Sequence, residues 1–526
     1  MHTWFQRYHV HLRAFLFIVY LINGCLTIPR LSITFDEGNH YNYAVRLVKG
    51  HPEKIYTFDD ASAMPISVLN TIPRVFHQVL QPSFHRTDYG FGDVIDGRYV
   101  TLLISLFIGL YVYWWSRALY GLNAALVSLF FFVFCPNLLA HATLVTTDAY
   151  SALFTIATLF HFWRYAHART LRHLILFAVM LAGAQLAKQS LTFLYVIFVI
   201  IGLIDAWRSR ARFQWKTWLR NIVVITSIQI VIINVGFQFF GTGTRIAGYS
   251  FQSEFFHKVA SAAHPVVDVP LPLPTPYIYG LDYSKKIDEL GPGHPESSPA
   301  IYILGQTREG KGFWYYYFVS MFFKTPVMLM IAVVLSTGLL LRRKLKDFFA
   351  NELHIVFPML FFLAYFDFFY NSQVGIRHVL MIFPLLHVLA GSIARARWTR
   401  TSSAVLALGL ISSVSSFYFY LPNFLAYTNE LIPDKKIAYR VLGSSNLDFN
   451  QASGALTSYL RSHPDTRYAP LEPSPGRFVI SVRDLLGLRD GHSYEWLRTR
   501  FSPVDHLRFT YLIFDISASD VGRPKQ

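Results

Sequence analysis

Cysteine is nearly absent, with two residues, Cys25 and Cys135, in 526. Both sit at or in apolar runs, so no disulfide framework is implied. Charge is scarce as well, at 15% of residues, where a soluble chain carries about 25%. Acids are the rarer sign, 31 against 47 Lys and Arg. There is no G-x-x-x-x-G-K loop and no Cys/His cluster, which removes the simplest nucleotide-binding and zinc readings. There is also no clear internal repeat.

What the chain has is apolar and aromatic, 53% and 17% of residues. Many apolar runs approach the roughly 20 residues that cross a bilayer as a helix. Eleven spans are expected, at 13–29, 97–115, 122–136, 149–163, 174–187, 191–206, 222–240, 318–341, 355–370, 379–394 and 404–420. The fold class expected is an all-α polytopic membrane protein with a small α/β segment at its C-terminal end. No small-residue cleavage site precedes Pro29, so the first run reads as a retained span.

The net charge of +16 would suit nucleic acid, but its placement argues against that. The basic residues gather in short loops: Arg117; Arg164, Arg169 and Arg172; Arg208, Arg210, Arg212, Lys216 and Arg220; Arg342, Arg343, Lys344 and Lys346; Arg395, Arg397 and Arg400. Alternating spans put all of these on one side, which the positive-inside rule makes cytoplasmic. The long loops 30–96 and 241–317 and the tail 421–526 fall on the other side. A domain of 1–420 followed by an external segment of 421–526 is the division expected.

Within the second long loop, alternate prolines at 264–276 favour extended backbone. The aromatic run 312–326 suits an interfacial helix leading into the next span. In the tail, 477–482 and 509–515 are β-prone, with a helical stretch from Tyr494 to Arg498 between them.

Chemistry is expected on the outer face. Asp36 and Glu37 follow the first span, and Arg98 opens the second. His141 and Asp148 flank the next outer connection, Lys188 and Gln189 form a later hairpin, and Arg377 and His378 enter the tenth span. Acids on one wall and cations on another would bind a lipid-linked phosphate beside a hydroxyl acceptor. A carboxylate pair would also hold a divalent cation.

Several fragments carry a family resemblance. They are Phe35-Asp-Glu-Gly-Asn-His-Tyr41, the stretch from Pro136 to Asp148, Ala187-Lys-Gln189, Ile303-Leu-Gly-Gln306 with Lys324-Thr-Pro326, Gly375-Ile-Arg-His-Val379, and Thr428-Asn-Glu-Leu431 with Ser445-Asn-Leu-Asp-Phe-Asn-Gln451. In order and placement the chain resembles the GT-C glycosyltransferases, near the protein O-mannosyltransferases and aminoarabinose transferases. The resemblance implies an integral membrane transferase with an outward-facing site. It would move a sugar from a dolichyl or undecaprenyl phosphate to a hydroxyl on a protein, glycolipid or polysaccharide, with inversion. It implies Asp36 as the base or an acceptor contact, with Glu37 beside it. Arg98, Lys188, Arg377 and His378 become donor-phosphate contacts, and His141 and Asp148 support them. Mg or Mn, if used, would lie on Asp36 and Glu37. A bacterial inner membrane, with the site facing the periplasm, is the location expected. Where relatives carry Trp-Gly after Asn-Leu-Asp, this chain has Phe449-Asn450, which bears on acceptor choice.

Each residue has a plainer role available. Asp36 would cap a helix opening near Gly38, and Thr147 or Asp148 would cap the fourth span. Arg98, Lys188 and Lys324 would reach lipid headgroups. His141 would make one interfacial hydrogen bond, and Arg377 and His378 would anchor a span. The rival class is a transporter or glycolipid flippase. That class places ionisable groups near the midplane of broken helices, whereas here they gather at one end.

Overall fold

The computed structural model describes residues 2–55, 57–80, 90–209, 214–263, 268–396, 398–488 and 494–521. Arg210, Arg212, Arg397 and the start of the proline-rich run lie outside them. All eleven expected segments fall on helices. Among the described residues, five helices are long and apolar enough to cross a membrane: Tyr8–Arg30, Phe91–Tyr120, Gln189–Arg208, Trp215–Gly236 and Arg400–Phe419. Counting each of two bent pairs as one span makes seven. The helices Leu171–Ala187, Leu353–Phe368 and Ile382–Arg395 are apolar but shorter. The chain is an integral, multi-pass membrane protein.

Both bends have the same cause. The helix Leu122–Val133 turns by 61° into Pro136–Ala142, and Tyr316–Lys324 turns by 111° into Val327–Leu340. Each break falls at the residue before a proline. Cys135 (φ −88°, ψ 105°) and Thr325 (φ −87°, ψ 129°) are extended, because a following proline ring crowds the helical conformation out. The eighth expected span therefore starts at Val327 rather than 318. The aromatic run before it forms the separate short helix Tyr316–Lys324.

The basic loops meet at one end of the bundle. There Arg395 donates to the Leu119 carbonyl, Arg208 to that of Lys346, and Arg343 pairs with buried Glu352. The long loops and the tail pack at the other end. The first loop forms the helix Glu37–Val48, and the second holds Thr275–Leu290 and a hairpin of β1 (Ile301–Ile303) and β2 (Gln306–Arg308). The tail folds as a four-stranded sheet of order β3 (Thr466–Tyr468), β4 (Gly476–Ser481), β6 (Tyr511–Ile516) and β5 (Asp505–Leu507). Strands β3 and β4 are parallel, and the other pairs are antiparallel. The helix Ser453–Ser462 lays Leu456, Tyr459 and Leu460 against Val479, Tyr511 and Ile513. Phe478, Leu512 and Phe514, also on β4 and β6, join the core that runs into the membrane helices.

Candidate active site

Asp36 and Glu37 are adjacent in sequence but do different work. Glu37 opens its helix fully buried. Its Oε1 accepts from Arg98 Nε at 2.7 Å and the Val145 amide at 2.9 Å. Its Oε2 accepts from Arg98 Nη2 at 2.6 Å, the Thr34 amide at 2.8 Å and the Thr34 hydroxyl at 3.0 Å. Arg98 is equally buried, and its remaining N–H groups go to the carbonyls of Ile28, Leu31 and Ser32. A guanidinium has five donors, and all five are taken. The expected phosphate contact at Arg98 is therefore corrected. This side chain caps the carbonyls left open where the first span ends, and Glu37 neutralises it.

Asp36 occupies the cap position of the same helix, yet its carboxylate makes no capping bond. It pairs instead with Arg377, 341 residues away in the chain. Both side chains keep some exposure, 21% for Asp36 and 13% for Arg377. Burial alone would lower the Arg377 pKa, but Asp36 and then Asp148 outweigh it, so the guanidinium stays charged.

Arg377 is placed by its neighbours. Gly375 turns the chain at φ +68°, where a Cβ would collide with the Ser445 hydroxyl, so glycine is required there. The Gly375 amide donates to the Tyr316 hydroxyl at 2.9 Å, and the Ile376 amide to Asn446 Oδ1 at 2.9 Å. The guanidinium lies 4.8 Å from the Phe449 ring centre. His378, next on the same turn, meets the Tyr317 hydroxyl at Nδ1, 3.2 Å away.

A second ion pair stands nearby. Lys188 ends the helix Leu171–Ala187 in extended conformation, and its Nζ donates to Asp148 Oδ1 at 2.7 Å. Asp148 Oδ2 lies 3.6 Å from Nδ1 of buried His141. Asp148 opens the helix Asp148–Ala168, and Thr147 at its cap position makes no side-chain cap bond. Gln189, beside Lys188, accepts from the Ser284 hydroxyl. Asp36, Asp148, Arg377 and Lys188 all act electrostatically on the imidazole of His40, so the two ion pairs share one neighbourhood.

The tail motif threads through this neighbourhood. The Asn446 and Leu425 carbonyls accept from Lys324 Nζ, both at 2.7 Å, so Lys324 is a buried clamp and not a headgroup contact. The amides of Ser32 and Phe35 donate to the Gln451 and Phe449 carbonyls, and Asn450 Nδ2 donates to the Ile33 carbonyl. Asn450 sits at φ +70°, a conformation glycine adopts freely and asparagine tolerates. The Phe-Asn departure from Trp-Gly thus keeps both an aromatic face for Arg377 and a residue suited to the turn. Sequence reading missed His40, Tyr316 and the Asn446 clamp. The signal for them lay in the motifs 35–41 and 445–451, which hold His40 and Asn446, and in the aromatic run 312–326, which holds Tyr316.

Asp36 and Glu37 do not suit a shared divalent cation. Glu37 has both oxygens filled by Arg98, Thr34 and Val145, and Asp36 turns to Arg377. Among the described residues no group of three or more His, Cys, Asp or Glu converges.

Residues 13–241 match the family described as dolichyl-phosphate-mannose-protein mannosyltransferase. The fold matches the Archaeoglobus fulgidus oligosaccharyltransferase in its apo form, with 14% identity and a TM-score of 0.50, covering 81% of this chain and 57% of that one. The chain shares the fold of that protein. Archaeal AglB from the same organism, solved with an inhibitory peptide and a dolichol-phosphate, gives 12% identity and a TM-score of 0.50 over 85% of this chain and 60% of its own. ArnT from Cupriavidus metallidurans bound to undecaprenyl phosphate aligns over 98% of this chain and 99% of its own, at 12% identity and a TM-score of 0.49. No curated protein matches the sequence significantly. The chain spans about three-fifths of the length of the two archaeal proteins.

Proposed function

We propose that this protein moves a sugar from a polyprenyl phosphate to an acceptor hydroxyl on the non-cytoplasmic face, with inversion at the anomeric carbon. The observation that carries the proposal is the pairing of Asp36 with Arg377 beside Asp148 with Lys188, both partly open to solvent. Next to them stands a saturated Glu37–Arg98 pair that serves the scaffold.

At rest each cation is held by a carboxylate. An arriving phosphodiester competes for Arg377 and Lys188, and Arg377 shifts from Asp36 toward it. That shift frees the Asp36 carboxylate to take the acceptor proton. The acceptor oxygen attacks from the side opposite the carrier, the sugar–phosphate C–O bond breaks, and its electron pair leaves with the phosphate. Arg377 and Lys188 stabilise the charge that develops there. The dolichol-phosphate bound in AglB and the mannosyltransferase family match support a polyprenyl carrier. The acceptor classes are a protein hydroxyl, a glycolipid and a polysaccharide. The basic loops at the opposite end support a site on the non-cytoplasmic face, which in a bacterial inner membrane is the periplasmic one.

The test is transfer of labelled sugar from a polyprenyl phosphate by the purified protein. A positioned base contributes roughly 10²–10⁴-fold, so Asp36→Asn is expected to lose that much turnover. Full activity in this variant would remove Asp36 from the mechanism. Substrate flux in sealed liposomes without transfer would replace the enzyme by a transporter.

A further inference from the structure

His40 belongs to neither ion pair. It lies one helical turn beyond Asp36, its amide bonded to the Asp36 carbonyl at 3.1 Å, so the two side chains share a face of the helix. The residue is 2% exposed, and its Nδ1 is buried with no hydrogen-bond partner. Buried polar atoms are nearly always paired, and an exception calls for an explanation.

The charged groups around it are Asp36 on its own helix, Asp148 and Lys188 from the membrane helices, and Arg377 from the turn before Ile382. Beyond them, His141 faces Asp148, and Glu37 is consumed by Arg98. Burial lowers the His40 pKa more than Asp36 and Asp148 raise it, so the ring is neutral at rest.

The charges of the two ion pairs cancel. The carrier enters as a phosphodiester with one negative charge. It leaves as a monoester whose second ionisation lies near pH 6, and so carries close to two charges at pH 7.5. A neutral site has nothing to offset the second charge unless a proton stays behind.

We propose that His40 takes up, as an imidazolium, the proton released by the acceptor hydroxyl, so that the site gains a positive charge as the carrier phosphate gains a negative one. The proposal rests on the transfer reading above. The acceptor O–H proton goes to Asp36 and then to His40. The new bond joins acceptor oxygen to anomeric carbon, the carbon–phosphate-oxygen bond breaks, and no electron acceptor is needed. His40 acts through Asp36 and is a supporting residue, and the proton leaves to water when the carrier phosphate departs.

The readout is proton uptake when a short-chain polyprenyl phosphate binds. It is measured calorimetrically at pH 7.5 in two buffers of different ionisation enthalpy, on wild type, His40→Gln and His40→Asn. Wild type is expected to take up about one proton more than either variant. In turnover, kcat is expected to fall about 10²-fold in the variants while the donor KM stays within about threefold. Equal uptake in all three proteins would overturn the role of His40 and leave sugar transfer standing. A raised KM at unchanged kcat would make His40 a binding contact and also overturn it. Absence of any binding or transfer by wild type would overturn the transfer reading, and His40's part in it.

Discussion

Replacing Glu37 by Gln should damage the fold, whereas the same change one residue earlier should damage the chemistry. Glu37 accepts five hydrogen bonds, two of them from Arg98. An amide in its place turns one acceptor into a donor that faces other donors. It also leaves the Arg98 guanidinium charged, fully buried and without a counter-ion. Breaking a buried pair from one side costs about 3–5 kcal/mol. Scaled to a chain of this size, that is a fall of roughly 3–5 °C in melting temperature. The assay is thermal unfolding of detergent-purified protein by tryptophan fluorescence, with folded yield from size-exclusion chromatography. The double variant Glu37→Met, Arg98→Met should recover part of the loss, because the uncompensated charge is gone. It should not recover all of it, since the Ile28, Leu31 and Ser32 carbonyls lose their donors. A Glu37→Gln protein that melts with wild type while losing only turnover would refute the division between scaffold and site.

Asp36→Asn is expected to melt within about 1 °C of wild type, since a part-exposed ion pair contributes little to stability, while labelled-sugar transfer collapses. Lys188→Met should cut kcat/KM for the donor by about 10²-fold and leave Asp148 without its cation, which a donor titration against the wild type would read. Phe449→Trp should keep activity, whereas Phe449→Ala should cost about 0.5–2 kcal/mol of transition-state binding through loss of the ring beneath Arg377, read as kcat/KM. Lys54, in the first long loop, is held by burial at about 8, partly offset by Asp60. The unfolded chain keeps a proton that the folded chain sheds, so stability should climb as pH rises from about 8 toward the ordinary lysine value near 10.5. Melting temperatures at pH 7.5 and 9.5 should show a larger gain in wild type than in Lys54→Met.

Apolar length made the helices visible, and charge placement made the two ends of the bundle visible. From those alone Asp36 and Arg377 were expected at the same end, and they meet despite a separation of 341 residues in the chain. Arg98 was misread because a basic residue opening a span looks the same whether it faces a phosphate or caps a distant helix end. Its partners become acceptors only where the chain leaves the helix at Ile28–Arg30. Lys324 was obscured in the same way, since the carbonyls it binds belong to the tail. Cys135-Pro136 and Thr325-Pro326 were in plain view, but a proline marks a break without giving its angle. Composition showed two β-prone runs, and their antiparallel pairing as β4 and β6 agrees with it. The parallel partner β3 is three residues long, too short to leave an alternation.

The segment after residue 420 is more than an appendage. Asn446 fixes the backbone beneath Arg377, Phe449 floors its guanidinium, and Gln451 and Asn450 grip the segment that presents Asp36. A protein cut after the last membrane helix would retain every proposed acid, base and phosphate ligand. It would still have lost the part that holds two of them in register, as a lock keeps its pins but loses its plug.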